Sequence, residues 1–283
     1  MSIKFENVSY VYNSKTEIEN KALNNINLEL PDRFFIALIG QTGSGKSTLI
    51  QQINGLLKPT EGKVIVDDFV VSRNKKERTK KINNLRKNVG YLFQFSEAQL
   101  FEETVLKDVK FGPLNYGATK EEAEILAKEA LQKVGLDESF YERSPFELSG
   151  GEKRRVSLAG VIAFKPKYLI LDEPTAGLDQ RGIENTMKLL LEIYKSGTNI
   201  ILITHDMDLA FKYCDDILIL ENGEVKTFAK KLEAFKSYPE LHVPNILKIS
   251  AELERNGLNL DLNNIYDIDS FISEIKRVKH NGK

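Results

Sequence analysis

The stretch GQTGSGKSTL, Gly40 to Leu49, decides the fold, because it follows the apolar run FFIALI, Phe34 to Ile39, and opens a helical pattern. Its spacing is that of a phosphate-binding loop, in which glycines let successive backbone N–H groups turn toward phosphate oxygens. Lys46 would reach the β- and γ-phosphates, and Ser47 would ligate Mg²⁺. A nucleoside triphosphate site is therefore predicted at Gly40, Gln41, Thr42, Gly43, Ser44, Gly45, Lys46, Ser47 and Thr48.

Two kinds of strand are predicted around this loop. Short, continuously apolar and β-branched runs are typical of parallel strands buried on both faces. Five such runs are RFFIALIG (33–40), NVGYLF (88–93), YLILDE (168–173), NIILITH (199–205) and DILILE (216–221). Alternating runs instead predict antiparallel strands with one exposed face. They are IKFENVSYVY (3–12), ALNNINLEL (22–30), GKVIVDD (62–68) and FVVS (69–72).

A helical subdomain is predicted between about residues 95 and 160, where helical signals occur without a buried-strand run. The run TKEEAEILAKEALQKVG opens with a capping box of Thr119 and Glu122 and stops at Gly135, which predicts one amphipathic helix. This subdomain would be inserted into the α/β core.

A second helical region is predicted at the end of the chain, where the pattern changes after about residue 226. Pro244 can begin a helix that ends at Asn256-Gly257, and another helix would hold Phe271, Ile275 and Val278. The chain thus divides into a main domain at 1–225 and an extension at 226–283. The extension is too short for its own core, so we expect it to dock on the main domain or on a partner.

Composition excludes several classes of protein. The 283 residues carry a formal net charge of -1, so no electrostatic footprint for nucleic acid or an anionic membrane is visible at the level of the whole chain. One cysteine, Cys214, excludes an internal disulfide framework and suits a reducing compartment. No apolar run is long enough to cross a bilayer, and the start MSIKFENVSY lacks a signal peptide. We therefore expect a cytosolic chain that reaches a membrane through a partner. The basic stretch 73–81 is expected to be a solvated loop.

Carboxylates and a histidine complete the chemistry that the residues themselves suggest. Asp172 and Glu173 follow a buried strand, where two adjacent carboxylates are costly without a cation or a catalytic task. Asp172 can hold Mg²⁺, while Glu173 can orient or deprotonate an attacking water. A histidine at a strand end is more often structural. Beside a phosphate loop and a carboxylate pair, His205 is better explained as a sensor of the γ-phosphate.

The segment LSGGE, Leu148 to Glu152, followed by KRRVSLAGVIA, resembles the signature of ATP-binding cassette (ABC) ATPases, and the resemblance covers roughly residues 3–225. It implies a P-loop NTPase fold, with a RecA-like, mostly parallel sheet, an antiparallel β subdomain, the inserted helical subdomain and the small helical extension. It also implies roles for residues that match in the family's order. These are Tyr12 for adenine stacking, Gln94 for the γ-phosphate and metal, Asp179 of the D-loop, His205 of the switch, and Ser149, Gly150, Gly151 and Glu152 of the signature.

The signature residues open a helix, where N–H groups and the helix dipole favour an anion. In the family, that anion is the γ-phosphate held by another subunit's loop. The resemblance therefore implies two cassettes that close head to tail around two ATP molecules with Mg²⁺. Hydrolysis removes the bridging charge, so the pair opens. A lone chain would be half of each composite site.

A narrower resemblance joins the chain to the ATP-binding subunits of energy-coupling factor (ECF) transporters, importers of vitamins and some transition-metal ions. It is carried by TGSGKST (42–48), EAQLFEETVLKDV (97–109), SPFELSGG (144–151), LAGVIA (158–163) and LHVPNILKISAELERNGLNL (241–260). It implies a heterodimer with a paralogous ATPase, with the extension contributing to that contact. A transmembrane coupling subunit (T) and a substrate-binding membrane subunit (S) are the other implied partners, and nucleic acid is not one. The chain would be peripheral, on the cytoplasmic face of the cell membrane.

Two other functions stay open at this point. One is the ATPase of an ordinary ABC importer with a dedicated binding protein, and the other is a soluble ABC ATPase that acts on nucleic acid. The chain has one signature and no sustained heptads, which disfavours the soluble class. Aromatic and apolar residues around Gln94 would instead receive a membrane subunit, with packing between subdomains as the alternative. They are Phe93, Phe95, Leu100 and Phe101.

The sequence departs from the family's pattern at four positions. Gln41 stands where histidine is common, Ser96 and Gln180 stand where proline is usual, and Glu152 replaces a glutamine. None of these changes removes a catalytic group. The charge of Glu152 favours the helix dipole and disfavours a nearby phosphate, so we expect an altered rate rather than lost function.

Overall fold

The computed structural model describes residues 2–14, 16, 18–76, 79, 82–238 and 243–281. Its strands, in chain order, are β1 (Ile3–Tyr12), β2 (Asn20–Leu30), β3 (Phe35–Ile39), β4 (Glu61–Val66), β5 (Phe69–Val71), β6 (Val89–Leu92), β7 (Tyr168–Asp172), β8 (Asn199–Ile203), β9 (Asp216–Glu221) and β10 (Glu224–Lys230). Its helices are α1 (Lys46–Ile53), α2 (Ile82–Asn88), α3 (Val105–Asn115), α4 (Lys120–Lys133), α5 (Gly150–Ile162), α6 (Gln180–Lys195), α7 (Met207–Tyr213), α8 (Lys231–Ser237), α9 (Asn245–Arg255) and α10 (Ile268–Asn281).

The continuously apolar runs form the central sheet, in the order β10-β9-β3-β8-β7-β6. The pairs β3–β9, β3–β8, β7–β8 and β6–β7 are parallel, which confirms the prediction from the sequence. Every residue of β3, β7 and β8 is buried, because helices or the second sheet cover both faces. β10 adds an antiparallel edge through its pairing with β9.

The alternating runs form an antiparallel sheet in the order β2-β1-β4-β5, also as predicted. This sheet shares a hydrophobic core with α1 and one face of the central sheet. Phe34, Ile36 and Leu38 point into that core, whereas Phe35 and Ala37 belong to the core on the opposite face. The period of two along β3 therefore places successive side chains in two separate layers.

The segment between β6 and β7 is helical, and it contains α3, α4 and α5. The predicted capping box is confirmed at α4, where Thr119 accepts from the Glu122 N–H and Glu122 accepts from the Thr119 N–H. Val109, Ala127 and Val156 from the three helices are buried in the same core, which includes the helical face of the central sheet. This packing attaches the helical segment to the strands that carry the carboxylates.

The end of the chain differs from the expected boundary. The sequence placed the start of the helical extension at 226, but β10 remains paired in the sheet until Lys230, and α8 begins at Lys231. The residues of β10 have no continuous apolar run, because an edge strand with partly exposed side chains does not need one. The apolar pattern that marks the central strands is therefore missing from it.

The extension docks partly on the main domain. Leu247 of α9 is buried in the helix-side core, which agrees with the docking on the main domain that the sequence offered as one alternative. In the following segment, the buried Glu274 accepts from the Asp261 N–H and pairs with Arg277, and these donors lower the pKa of Glu274 to about 2. Leu241 and His242 of the quoted segment 241–260, and residues 282–283, lie outside the described residues.

Three smaller expectations concern the surface and the thiol. Residues 73–76 of the basic stretch are exposed, and Thr79 is partly buried. Residues 77, 78, 80 and 81 lie outside the described part of the chain. Cys214 is a buried free thiol, and burial raises its pKa. Within the described ranges, no helix is both long and apolar enough to span a bilayer.

Candidate active site

The polar residues singled out in the sequence meet at one edge of the central sheet. Because β3, β8, β7 and β6 are neighbouring parallel strands, their carboxyl ends share that edge. The phosphate loop follows β3, His205 follows β8, Asp172 ends β7, and Gln94 follows β6. Residues more than a hundred positions apart in the chain are therefore brought to a common site by strand order alone.

The phosphate loop has the backbone shape that its glycines allow. Gly45 is the N-cap of α1 and has a φ of 100°, and a Cβ there would lie 2.5 Å from the Ala22 carbonyl oxygen. Lys46 Nζ donates to the carbonyl oxygens of Gly40 at 2.6 Å and Gln41 at 2.8 Å. The ammonium group therefore lies across the loop, within reach of a phosphate that enters it.

Tyr12 lies beside the helix that follows the loop. Its hydroxyl is 3.0 Å from Thr48 Oγ1, and 38% of the residue is exposed. The ring packs edge-on against Tyr10 with centroids 4.8 Å apart. This contact fixes an exposed aromatic ring next to the loop, where it can present a face to a planar base.

Asp172 and Lys46 bring opposite charges into a largely buried setting. Burial raises the pKa of the Asp172 carboxyl, the Glu173 carboxylate raises it further, and Lys46 opposes both. Burial also lowers the pKa of Lys46, against the pull of Asp172. The Tyr91 hydroxyl lies 3.5 Å from Asp172 Oδ2. A cation beside Asp172 would therefore stabilise the charged carboxylate that burial disfavours.

The donor set fits Mg²⁺ held jointly with a nucleotide. Magnesium prefers oxygen ligands and is usually bound through one or two carboxylates together with substrate phosphates and water. Asp172 supplies one such carboxylate, and the exposed Ser47 and Gln94 supply a hydroxyl and an amide oxygen. In the described part of the chain, no cluster of three or more His, Cys, Asp or Glu side chains could hold a metal alone. Substrate phosphates and water would complete the coordination.

Glu173 and His205 form a direct pair. His205 Nδ1 lies 2.8 Å from Glu173 Oε1, and the imidazole is highly exposed while the carboxylate is mostly covered. The backbone of Glu173 has a φ of 51°, a left-handed conformation that is uncommon for a residue other than glycine. Such strain tends to persist at functional sites, where the surrounding structure holds it in place. An imidazole that positions a carboxylate can prepare it to accept a proton from water.

The signature forms the exposed start of α5. Ser149 is the N-cap, and Ser149 and Gly150 are both exposed. Glu152 Oε2 accepts from the Ser149 N–H at 2.8 Å, and Ser149 Oγ accepts from the Glu152 N–H at 3.4 Å, which together make a second capping box. The sequence analysis treated Glu152 as a charge only, although the pattern S-x-x-E could have predicted this box. The bonds from Ser149 lower the pKa of Glu152.

This capping box gives a prediction for stability. Glu152→Ala should lower the free energy of unfolding by about 1 kcal/mol, because the N–H of the N-cap residue Ser149 loses its acceptor. Glu152→Gln should stay close to wild type, because glutamine can take the same position in the box. Urea denaturation of both variants measures the difference. Equal stabilities for the alanine and glutamine variants would show that the box contributes nothing.

The remaining predicted residues lie at the surface. Gln94 and Asp179 are exposed, and Asp179 Oδ1 accepts from the Gly182 N–H at 2.8 Å as the N-cap of α6. The capping role of Asp179 was not predicted. The sequence analysis also missed Arg154 of α5, whose guanidinium donates to the backbone of Gln94 and Glu173. Apart from its place in the run KRR, nothing in the sequence marks it.

The aromatic segment after Gln94 is divided between surface and interior. Phe95 and Phe101 are 68% and 56% exposed, whereas Leu100 is buried and Phe93 packs against Tyr91 at 4.0 Å between centroids. Packing in the interior, the alternative that the sequence left open, therefore applies to Leu100 and Phe93. Phe101 also contacts the half-exposed Phe111 of α3, with centroids 4.9 Å apart. Phe101 and Phe111 therefore form an exposed aromatic patch, and Phe95 is a further exposed aromatic side chain of the same segment.

Fold and site together define a P-loop nucleotide hydrolase that carries a cassette signature. The sequence profile of the family described as ABC transporter matches residues 23–176. A dimeric post-hydrolysis state of the ATP-binding cassette MJ0796, bound to ADP and Pi, is similar in structure with a TM-score of 0.72 and 31% identity. That similarity covers 81% of this chain and 98% of that chain.

Two further relatives narrow the class. The energy-coupling factor transporter ATP-binding protein EcfA2 of Streptococcus agalactiae is 47% identical over 281 residues, covering 98% of this chain and 99% of that protein. The structure of cbiO1 from Clostridium perfringens, described as part of the ABC transporter complex cbiONQ, has a TM-score of 0.72 and 37% identity. It covers 90% of this chain and 96% of that one. The chain therefore belongs to the ABC transporter family, among the energy-coupling factor transporter ATP-binding proteins, and is an ATPase that uses ATP with Mg²⁺.

Proposed function

We propose that the chain is a peripheral ATPase subunit on the cytoplasmic face of the cell membrane, where it pairs with a paralogous cassette to drive an importer. The pair would act on a transmembrane coupling subunit (T), and a membrane subunit (S) would bind the imported vitamin or transition-metal ion. The observation that carries the proposal is the exposure of Ser149 and Gly150 at the start of α5. A phosphate held by a neighbouring molecule has open access to that helix N-terminus.

Closure of the pair would complete two composite sites. Gly150 has no atom within 4 Å of a Cβ built on it, and Gly151 has a single neighbour at 4.0 Å, the side chain of Leu178. The glycines therefore do not serve internal packing, which supports a role toward a partner. On closure, Ser149 Oγ would turn from Glu152 to the partner's γ-phosphate. Asp179 would lie in the contact between the two cassettes.

Binding within this chain would use the loop and its neighbours. Tyr12 would stack on adenine, the N–H groups from Gln41 to Thr48 would surround the phosphates, and Lys46 would leave the carbonyl oxygens of its own loop for the β- and γ-phosphates. Thr48 would contact the α-phosphate. Ser47, Asp172 and Gln94 would hold Mg²⁺, which neutralises phosphate charge when it is bound.

Hydrolysis would depend on the Glu173–His205 pair. Glu173 would accept a proton from the attacking water, and His205, 2.8 Å from the carboxylate, would steady it and the γ-phosphate. Gln94 would link this chemistry to the helical segment, because it stands between β6 and the aromatic patch. Loss of the γ-phosphate would then weaken the attraction between the two cassettes.

Purification of the full-length chain from membranes tests the assembly. We expect a second cassette and a multispanning membrane protein to copurify in stoichiometric amounts, together with a small substrate-binding membrane protein. A dedicated soluble binding protein in place of that subunit would favour an ordinary ABC importer. A salt-sensitive affinity for DNA, without membrane subunits, would contradict the proposal and support the soluble class.

The aromatic patch gives a prediction for that assembly. Phe101→Ala should weaken binding to the membrane component roughly tenfold, because exposed aromatic side chains that fill a partner's pocket often dominate binding. ATP affinity should be unchanged, since Phe101 does not line the phosphate loop. Ile125→Ala, which removes another exposed apolar side chain on α4, is the matched control. Unchanged assembly of the Phe101 variant would show that this side chain is not a docking residue.

A further inference from the structure

Arg154 connects three segments of the site through one guanidinium group. It lies in α5, five residues after the N-cap Ser149. Its Nη2 donates to the Glu173 carbonyl oxygen at 2.6 Å and to the Gln94 carbonyl oxygen at 3.2 Å, and its Nη1 donates to the Ala176 carbonyl oxygen. The signature helix is thereby bonded to the backbone that follows β6 and to the backbone that follows β7.

The guanidinium group depends on these carbonyl oxygens for its position. In the part of the chain that the structure describes, Arg154 has no salt bridge, and its buried Nε has no hydrogen-bond partner. Hydrogen bonds from a charged donor are roughly twice as strong as neutral ones, so the three bonds form a firm link. A lysine could not copy it, because an ammonium group lacks the planar fork that reaches separated acceptors.

One of the hydrogen bonds from Arg154 holds the strained backbone of Glu173. Glu173 has a φ of 51°, a left-handed conformation that is strained for a residue with a Cβ. Its N–H donates to the Ile203 carbonyl oxygen at 3.0 Å, and its own carbonyl oxygen is held by Arg154. The direction of the Glu173 side chain toward His205 therefore depends on a hydrogen bond from the signature helix.

We propose that Arg154 is a positioning residue that makes the orientation of Glu173 depend on the signature helix. A phosphate that contacts Ser149 and Gly150 from a neighbouring molecule would thereby condition hydrolysis at this chain's own loop. A helix rises about 1.5 Å per residue and moves as a rigid body, so a shift of its first turn reaches Arg154 about 7.5 Å away. The inference rests on the composite sites of the proposed function.

Steady-state ATPase kinetics of the full-length, assembled protein test the inference. Arg154→Met should lower kcat roughly ten- to a hundredfold, because a shift of about 1 Å in a catalytic group can have effects of that size. KM for ATP should stay within about twofold, since the binding contacts are kept. Arg154→Lys should recover part of kcat. Arg33→Met is the control, because Arg33 donates to the Thr198 carbonyl oxygen at the opposite edge of the sheet.

A double-mutant cycle measures the coupling itself. Arg154 would transmit to Glu173 whether a phosphate contacts the signature. In that case, the loss of turnover in the double variant Gly151→Ala with Arg154→Met should be about tenfold smaller than the product of the two single losses. An unchanged kcat in Arg154→Met, or strictly multiplicative losses, would overturn the inference. The inference would also be overturned if Arg154→Met and Arg154→Lys lost thermal stability and activity to the same extent, with no recovery of kcat in the lysine variant. A wild-type protein without ATP turnover, or full turnover in Glu173→Gln, would instead contradict the proposed function.

Discussion

Glu173→Gln should lower ATP turnover by roughly a hundred- to ten-thousandfold, which is the usual contribution of a general base. The amide has nearly the same shape as the carboxylate, but it cannot accept a proton from water. The phosphate loop is unchanged by this substitution, so ATP affinity should stay at the wild-type value. If hydrolysis opens the pair, as proposed, the variant should accumulate as a closed, ATP-bound pair. Radiolabelled ATP hydrolysis and size-exclusion chromatography with ATP measure both effects.

Glu129→Gln is a suitable control for this prediction. The substitution removes the ion pair between Glu129 and Lys165, at 3.2 Å. Glu129 lies on α4, away from the carboxyl edge of the sheet. Its turnover and its pairing should match the wild type. Normal turnover in a verified Glu173→Gln preparation would remove Glu173 from the mechanism. Lost turnover without a trapped pair would leave the carboxylate catalytic and contradict the account of opening.

Gly151→Asp should abolish turnover while leaving the fold as stable as before or more stable. Aspartate in the first turn of a helix is favoured by the dipole over glycine, and a Cβ at Gly151 would meet only the Leu178 side chain, at an ordinary 4.0 Å. The same carboxylate would repel a phosphate that approaches from the partner. Like charges brought this close together cost several kcal/mol, so turnover should fall by about a hundredfold or more.

Thermal unfolding, ATP binding and turnover of the same preparation separate these effects. Binding of ATP to the variant's own loop should persist, because the defect lies in the signature. Gly160→Ala, at another open position of α5, should leave all three measurements near wild type. Wild-type turnover in Gly151→Asp would show that no phosphate approaches this helix.

Much of the fold was predictable because each layer has its own periodicity. The continuous apolar runs around Ile36 and Ile201 could only be buried on both faces, and the alternating run around Phe5 required one exposed face. Strand β10 escaped the boundary prediction because its side chains are half exposed at an edge. The parallel strands also predicted that Glu173 and His205 would meet, since the strands that they follow end at one edge.

Contacts between distant backbone segments were not predictable. Arg154 bonds to carbonyl oxygens 19, 22 and 60 positions away, and no local pattern reports where a carbonyl oxygen points. The irregular segment after Gln94 posed a similar problem. Without a helical or strand period, the sequence could not separate the buried Leu100 from the exposed Phe101. The capping box at Glu152 was different, because the local pattern was present and was passed over.

Turnover per chain across a dilution series tests the central claim most directly, namely that a lone chain holds only half of each composite site. The ATPase rate and the paired fraction, from sedimentation velocity, should be measured on the same full-length samples at saturating Mg-ATP. We expect turnover per chain to fall in proportion to the paired fraction and to approach zero for single chains. Constant turnover in strictly monomeric samples would contradict the account.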